Sequence, residues 1–507
     1  DGCMLDLQGC TWSFTKTGVT GDSGAGFLTA IRNVTIQNGT INTAYTFAPG
    51  STNAGNCIMW GGRGTDNPLF PPIYDSLLPS PMGGLILRNL YLSGTDTGNQ
   101  ARGLFALGGL RDVVIENVVI NCNNSLSDGI YYEFGWATNE TNEWQRQTSH
   151  GHGWEVTDLE VTNAINTGMT GNGMYQAKIT NIKVYTSGSV CFFGPGESLF
   201  YRPWSGVDAT GAKHNIHLDG VVGAGITGLG IGITGASSIT TSYLNDPPAN
   251  DNPNGLTAAN QVDLIDAIIE NVAMLGSSAN YGISSSARNT LIRSVFIQGF
   301  QHNLNFTQEA THFTVEDFWL LDSTNIGFVV GQGISIYSPP RTSMGIIKNG
   351  FIAGSVGNAI NVATTQSLLI EGVRFGYSTA HDGKSETTQT VAVQLNADAY
   401  GVRVVNPFVA GIASGNAFVQ TGGSGSQGNT ISGAQGIFTL SGNWELDGMA
   451  FDNASDIASA AAIINTAFKY LGRRVYDTSN KRIMVAQGSS PTSTWVVCDG
   501  SATVTPS

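Results

Sequence analysis

Four acidic side chains are candidates for proton transfer: Glu133, Glu197, Asp208 and Asp128. Cleavage of a glycosidic bond usually needs two carboxyl groups, one donating a proton and the other acting as base or nucleophile. Glu133 stands in the segment Gly129-Ile130-Tyr131-Tyr132-Glu133-Phe134. Strand alternation puts Ile130, Tyr132 and Phe134 on a buried face and Tyr131 and Glu133 on the outer one. Glu133 is therefore the first candidate, with Glu197 or Asp208 as its partner. Asp128 opens the same segment.

The surrounding stretches carry matching chemistry. Residues 133–152 hold Trp136, Glu140, Glu143, Trp144, Arg146, His150 and His152. Residues 194–213 hold Tyr201, Arg202 and Trp204, and residues 234–261 hold Tyr243, Asp246 and Asp251. Residues 331–341 add Tyr337 and Arg341. Aromatic faces stack on the C–H faces of pyranoses, and carboxylates and guanidinium groups bond hydroxyls. Trp136, Trp144, Tyr131, Tyr201, Arg202, Trp204, His152 and Asp246 are thus candidate substrate-binding residues. The same set admits elimination, with Tyr131, Tyr201 or His152 as base and Arg202 neutralising a sugar carboxylate. Binding without cleavage is a third reading.

Metal chemistry is not expected. His150 and His152 lie two apart, with no evident third ligand. Residues 250–261 echo a calcium loop, but Asn250 fills its first position and Gln261 its twelfth. No phosphate-cradling glycine loop or Gly-x-Ser-x-Gly elbow stands in a usable setting, and no cofactor is predicted.

The elements that position these residues follow from a repeat. A short unit of apolar, any, Asn or similar, apolar, any, apolar begins at Ile36 and returns at Leu87, Ile115, Val156, Ile179 and Leu218. It continues at Ile269, Ile292, Val315, Ile347, Ile370 and Val404. Val156 to Ile179, Ile269 to Ile292 and Ile347 to Ile370 are each 23 residues apart. A fixed period in this range signals a solenoid. Strand-sized pieces within it predict a right-handed, single-stranded parallel β-helix with coils of about 23 residues.

Asn38, Asn89, Asn117, Asn181, Asn271 and Asn349 hold the central slot, replaced by Asp158 and Asp317 in two coils. Asn and Asp tolerate the left-handed backbone of a corner, and their amides can bond from coil to coil. A second strand follows each unit. The extra residues after Ile115, Ile179 and Leu218 all follow that second strand, which predicts long loops at one corner of three consecutive coils.

Composition agrees. Charged residues are only 12%, Gly is 66 of 507, and β-branched runs are bounded by Gly, Asn and Asp, as in a chain of short strands and tight turns. The net charge of −14 and the lack of a Lys/Arg cluster argue against a nucleic-acid partner and against an anionic membrane surface. No run of 18 apolar residues is long enough to insert in a membrane. The six cysteines lack any CxxC and are expected to be buried free thiols, from assembly in a reducing cytoplasm. The first residues read as a strand already under way, which predicts a missing N-terminal part.

The end of the chain differs. Ile457, Ala461, Ile464, Phe468 and Leu471 recur at helical spacing after Ser455, predicting a helix over 455–471. Arg474-Val475-Tyr476 and Arg482-Ile483-Met484-Val485 flank a turn and predict a hairpin. Two domains are expected: 1–440, a β-helix with lateral loops, and 441–507, a cap or trimerisation module.

Two resemblances bear on function. Ser127-Asp128-Gly129-Ile130 and His150-Gly151-His152-Gly153 resemble the Asn-Thr-Asp-Gly-Ile and Gly-His-Gly segments of polygalacturonases, although the Asp-Asp pair and the Arg-Ile-Lys element are absent. The Asn-slot coils, the acidic Gly-rich composition and the segment from Arg474 to Arg482 followed by Trp495-Val496-Val497 resemble bacteriophage tailspikes. That resemblance implies a homotrimer mounted on the virion baseplate by an N-terminal domain, assembled in the host cytoplasm and acting at the bacterial surface. It implies binding and cleavage of capsular or O-antigen polysaccharide, by hydrolysis in most members and by elimination in some.

Overall fold

The computed structural model describes residues 2–19, 24–29, 33–47, 55–60, 84–95, 101–107, 111–133, 151–172, 174–194, 215–233, 266–277, 280–287, 289–307, 310–332, 343–376, 389–410, 412, 417–421, 428–436, 440–441, 444–446, 449–452, 454–466, 469 and 473–507. These fall into two compact units, one up to Phe300 and the other from Gln301.

The first unit is a parallel β-helix. In the coil built on Arg111–Asn121, Val113, Ile115, Val118 and Ile120 are buried and Glu116 and Asn117 face solvent. The strand bends at Asn117, where φ is 52°. The residues before and after the bend pair with the same two neighbouring strands, while Asn117 drops out of the register and turns the strand onto a second face. A separate strand, Asp128–Glu133, makes the third sheet, pairing in parallel with Arg102–Leu107 and Thr167–Asn172. Each coil thus has three faces, one more than the two strands legible in the sequence. Register confirms the period: Val156 pairs with Ile179, and Ile269 with Ile292.

The corner slot behaves as its residue types dictate. Asn38, Asn89, Asn117, Asp158, Asn181 and Asn271 all have φ between 52° and 59° except Asn89, at 49°. An ordinary side chain would be strained there by roughly 1–2 kcal/mol. Asn89 Nδ2 donates to Asn38 Oδ1 at 3.0 Å and Asn117 Nδ2 to Asn89 Oδ1 at 2.9 Å. Asn181 donates to Asp158 in the same way. Gly220, with φ 71°, fills the slot without an amide, and Asn271 Nδ2 reaches instead to Asp219 Oδ1 at 2.7 Å. Inside the corner lies an apolar column that includes Ile36, Leu87, Ile115, Val156, Ile179, Leu218, Ile269 and Ile292, all essentially buried. Each such side chain contributes roughly 1.5–3 kcal/mol of burial.

The second unit is built the same way. Val315 pairs with Ile347, Ile347 with Ile370, and Ile370 with Val404, and Asp317, Asn349, Gly372 and Asn406 take the left-handed corner. Its core holds a stacked pair, Phe306 and Phe313, with ring centroids 4.1 Å apart. Parallel pairing runs on through Thr430–Ser432 to Glu445–Leu446. There the chain reverses, and Met449–Asp452 pairs antiparallel with Glu445–Leu446. Arg474–Asp477 and Arg482–Ala486 form the expected hairpin, and Trp495–Val497 and Thr503–Val504 extend the antiparallel sheet. Ile457, Ile464, Val475, Met484, Ala486, Trp495 and Val497 make a small core of their own.

Two expectations need correction. The helix over 455–471 is broken: α1 spans Ala454–Ala458 and α2 spans Ile463–Thr466. Asn465 breaks it. Its Nδ2 donates to the carbonyls of Asp456, Ile457 and Ser459 at 3.1, 2.9 and 3.0 Å, taking acceptors that a continuous helix would fill with backbone N–H groups. Asn465 Oδ1 in turn accepts from Trp495 Nε1 and from Lys469 Nζ, both at 2.7 Å. Burial pulls Lys469 down to about 8. All six cysteines are free, but only Cys57, Cys122 and Cys191 are buried; Cys3, Cys10 and Cys498 are exposed. Cys3 opens the short first strand, Cys3–Asp6, and Cys10 closes the turn after it.

Candidate functional site

Glu133 ends its strand in register with Leu107 and Asn172, and Asn172 is in turn in register with Gly194. Phe193 pairs with Ile233. The stretches 134–150, 195–214 and 234–265 therefore leave the first unit from one corner. The first and second do not leave consecutive coils, whereas the second and third do. Thr167–Asn172 passes to Met174–Tyr175 across a single residue, so a plain coil separates the first departure point from the second. The sequence also hid a further departure point. Trp60 is in register with Ala106, and Ala106 with Tyr132, so residues 61–83 leave from this corner too. The coil between closes with three residues, 108–110. Inserted and plain coils thus alternate from residue 61 to residue 214, and two inserted coils then follow one another. Two departure points flanking a plain coil are about 9.6 Å apart, at about 4.8 Å per coil.

The floor leading to this corner is the outer face of the third sheet. Register aligns Phe105, Tyr131, Thr170, Phe192 and Gly232 across successive coils. Phe105, Tyr131 and Phe192 are each partly exposed, and the Phe105 and Tyr131 rings lie 5.8 Å apart. Ile130 and Tyr132 are buried as alternation predicts, with Tyr132 against Trp154 at 4.9 Å. Gly129 allows this stacking, since a Cβ there would lie 2.6 Å from the Gly168 carbonyl.

Arg102 holds the start of the floor. Its guanidinium carbon lies 4.4 Å from the Phe105 ring centre and 4.1 Å from that of Tyr131, which makes it a cation between two π faces. Asp128 faces it, with Nε to Oδ2 at 3.6 Å. Asp128 is 4% exposed. Ser127 Oγ donates to Asp128 Oδ2 at 2.9 Å, and Asn166 Nδ2 donates to Ser127 Oγ at 2.7 Å. Burial pushes the Asp128 carboxyl above its ordinary value, against the opposing pull of Arg102, Ser127 and the Thr167 N–H. Next in the column, the wholly buried amide of Asn56 is matched in register to Arg102 and has no hydrogen-bond partner among the described residues.

Asp128 thus acts on the floor through Arg102, from the interior. It sits five residues from Glu133, roughly 16 Å along an extended strand. His152 lies past the insertion corner, in register with Arg111 and Tyr175. The Asp-Gly-Ile and Gly-His-Gly segments are therefore at opposite ends of the third sheet's strand. The insertion corner has its own left-handed positions: Asn33, Gly84, Asp112, Gly153, Gln176, Asp266 and Asn289.

Glu197, Asp208, Trp136, Trp144, Tyr201, Arg202, Trp204 and Asp246 lie outside the described residues, as do the side chains of Glu133 and His152. Arg102 and Phe105 were missed in the sequence. Their signal was the alternation of Arg-Gly-Leu-Phe-Ala-Leu, the same pattern as Asp-Gly-Ile-Tyr-Tyr-Glu. Among the described residues no cluster of His, Cys, Asp and Glu is arranged to hold a metal ion, and no helix is long and apolar enough to cross a membrane.

No protein-family profile matches the chain, and no curated protein matches its sequence. Solved structures resemble it in fold. The N-terminal fragment of gene product 12 of bacteriophage Phi29 is 12% identical, with a TM-score of 0.47, over 81% of this chain and 67% of that one. Tailspike protein 3 of bacteriophage CBA120 is 10% identical, with a TM-score of 0.41, over 96% of this chain and 63% of that one. The A-module of a mannuronan C-5 epimerase of Azotobacter vinelandii is 11% identical, with a TM-score of 0.37, over 82% of this chain and 89% of that one. The chain spans about two thirds of the length of the two phage proteins.

Proposed function

We propose that this chain is a phage tailspike depolymerase that binds bacterial capsular or O-antigen polysaccharide and hydrolyses it at the insertion corner of the first unit. One observation carries the reading. Stretches rich in aromatic residues and carboxylates depart from one corner, on either side of a plain coil, beside an outward row of Phe105, Tyr131 and Phe192. A gap of about 9.6 Å between insertion roots admits a sugar chain. Aromatic rings on its floor supply stacking surface. Glu133 ends the strand that carries Tyr131, and serves as acid or base with Glu197 or Asp208. The working particle is a homotrimer on the virion.

Elimination is the second reading, favoured by Arg102. A guanidinium held 4.1 Å from the ring centre of Tyr131 puts a fixed cation beside a candidate phenolic base.

Digestion of a panel of purified capsular and O-antigen polysaccharides, read by product mass, tests both. Products that gain one water per cut, lost in Glu133→Gln, support hydrolysis. Products lighter by one water, with ultraviolet absorbance and sensitivity to Tyr131→Phe, replace it with elimination. Tight binding with no cut in any polymer sinks the enzyme reading.

A further inference from the structure

The second unit carries a row of side chains that the insertion corner does not use. Past the corner slot, register aligns Trp319 with Phe351, Phe351 with Arg374, and Arg374 with Phe408. Alternation turns all four outward, because Phe318, Leu320, Ile352, Val373, Phe375 and Val409 beside them are buried. Trp319 is 49% exposed and Phe408 40%. The Arg374 guanidinium carbon stands 5.4 Å from the Phe408 ring centre, within cation–π range. The matching positions of the first unit run Tyr91, Val119, Glu160, Lys183, Val222, Ala273 and Phe296, a mixed column in which rings stand only at the two ends.

We infer that this row is a second glycan-binding site, which holds a polysaccharide segment along the coil-stacking direction of the second unit. The inference rests on the reading of the chain as a polysaccharide-binding protein. Its chemistry is that of a sugar surface. Four side chains at successive coils, three of them rings, about 4.8 Å apart per coil, make a strip about 14 Å long and one side chain wide. Two residues to one side runs the polar corner of Asp317, Asn349, Gly372 and Asn406, and next to it the ion pair of Lys348 with Glu316 at 2.7 Å. Rings meet the C–H faces of a pyranose, and the flanking amides, carboxylates and Arg374 meet its hydroxyl or acidic groups. A second protein copy fits less well. Four half-exposed side chains offer on the order of 300–400 Å², whereas a stable interface needs about 800 Å² per partner. A ligand one sugar wide needs no more than the row supplies.

The test is affinity electrophoresis of the whole chain in gels cast with each polysaccharide of the panel, comparing wild type, the Trp319→Ala/Phe408→Ala double variant, and Trp319→Tyr. Both substituted positions are on the surface, and equal thermal unfolding confirms intact folding. We expect wild type to be retarded by the polymer it cleaves. The double variant should lose at least fivefold in apparent affinity while cutting short oligosaccharides at the wild-type rate, and Trp319→Tyr should keep most of the retardation. Equal retardation of the double variant overturns the second site and leaves the cleavage corner standing. No retardation of wild type by any polymer sinks both. A lower sedimentation mass of the double variant overturns the glycan site in favour of a contact between copies.

Discussion

At the scale of single residues, Arg102 and Asp128 are the most exposed to substitution, because both are buried and each is the other's counter-charge. Removing one partner of a buried pair typically costs about 3–5 kcal/mol, whereas replacing both with apolar groups of similar size is often neutral. Asp128→Ala is therefore expected to lower the chemical-unfolding midpoint by that order, and Arg102→Met/Asp128→Leu to recover most of the loss. A loss in the double variant equal to the sum of the losses in Arg102→Met and Asp128→Leu alone would mean that the pair does not couple. Asp477 offers a pH test. Burial works against its charge, but the Asn480 side chain, the Asn480 N–H and Arg482 outweigh it and hold the carboxyl below its ordinary value of 3.8. The folded state then binds its proton less readily than the unfolded chain. Its contribution is complete above that ordinary value and is lost as pH falls through the depressed one. Melting temperature should fall more steeply with acid in wild type than in Asp477→Asn, with the difference confined to pH below about 4.

At the scale of the element, the corner slot sets the coil. Asn117 has both a left-handed φ and an amide bond to Asn89. Asn117→Ala loses both and should cost about 2–3 kcal/mol. Asn117→Gly keeps the backbone free and should cost about 1 kcal/mol, so unfolding midpoints should order wild type, Gly, Ala. This slot was legible in the sequence because Asn recurs between apolar neighbours at a fixed period. The second sheet was not, because Arg111–Asn121 runs through its bend with no break in its apolar pattern. The hairpin at Asp477 was legible from its turn residues. The helix over 455–471 failed because spacing alone did not show that Asn465 would cap the first turn with its side chain. In the site, Tyr131 was legible from alternation, while Arg102 and Phe105 became visible only when register laid one coil on the next. The plain coil between two insertions was present in the 23-residue interval from Val156 to Ile179, and register gave it a meaning as a gap.

At the scale of the whole molecule, the second unit ends its parallel coils against a small antiparallel module. An uncovered coil end presents unpaired strand edges, which associate with other chains. Ending the chain after Leu446 is expected to give a protein that folds but aggregates, with light scattering rising on concentration. A truncated chain that stays monodisperse would show that the module is dispensable for solubility. The placement of inserted coils among plain ones has a further consequence, for descent. Insertions hang from fixed points on a frame that does not read their content. A gene can therefore exchange one such stretch for another, or duplicate one coil's worth of codons, and every inward residue still faces inward. A single added codon within a strand would turn all the residues after it inside out. Variation among relatives of this chain should thus collect in whole stretches at one corner and in whole coils, and the strands between should keep their length.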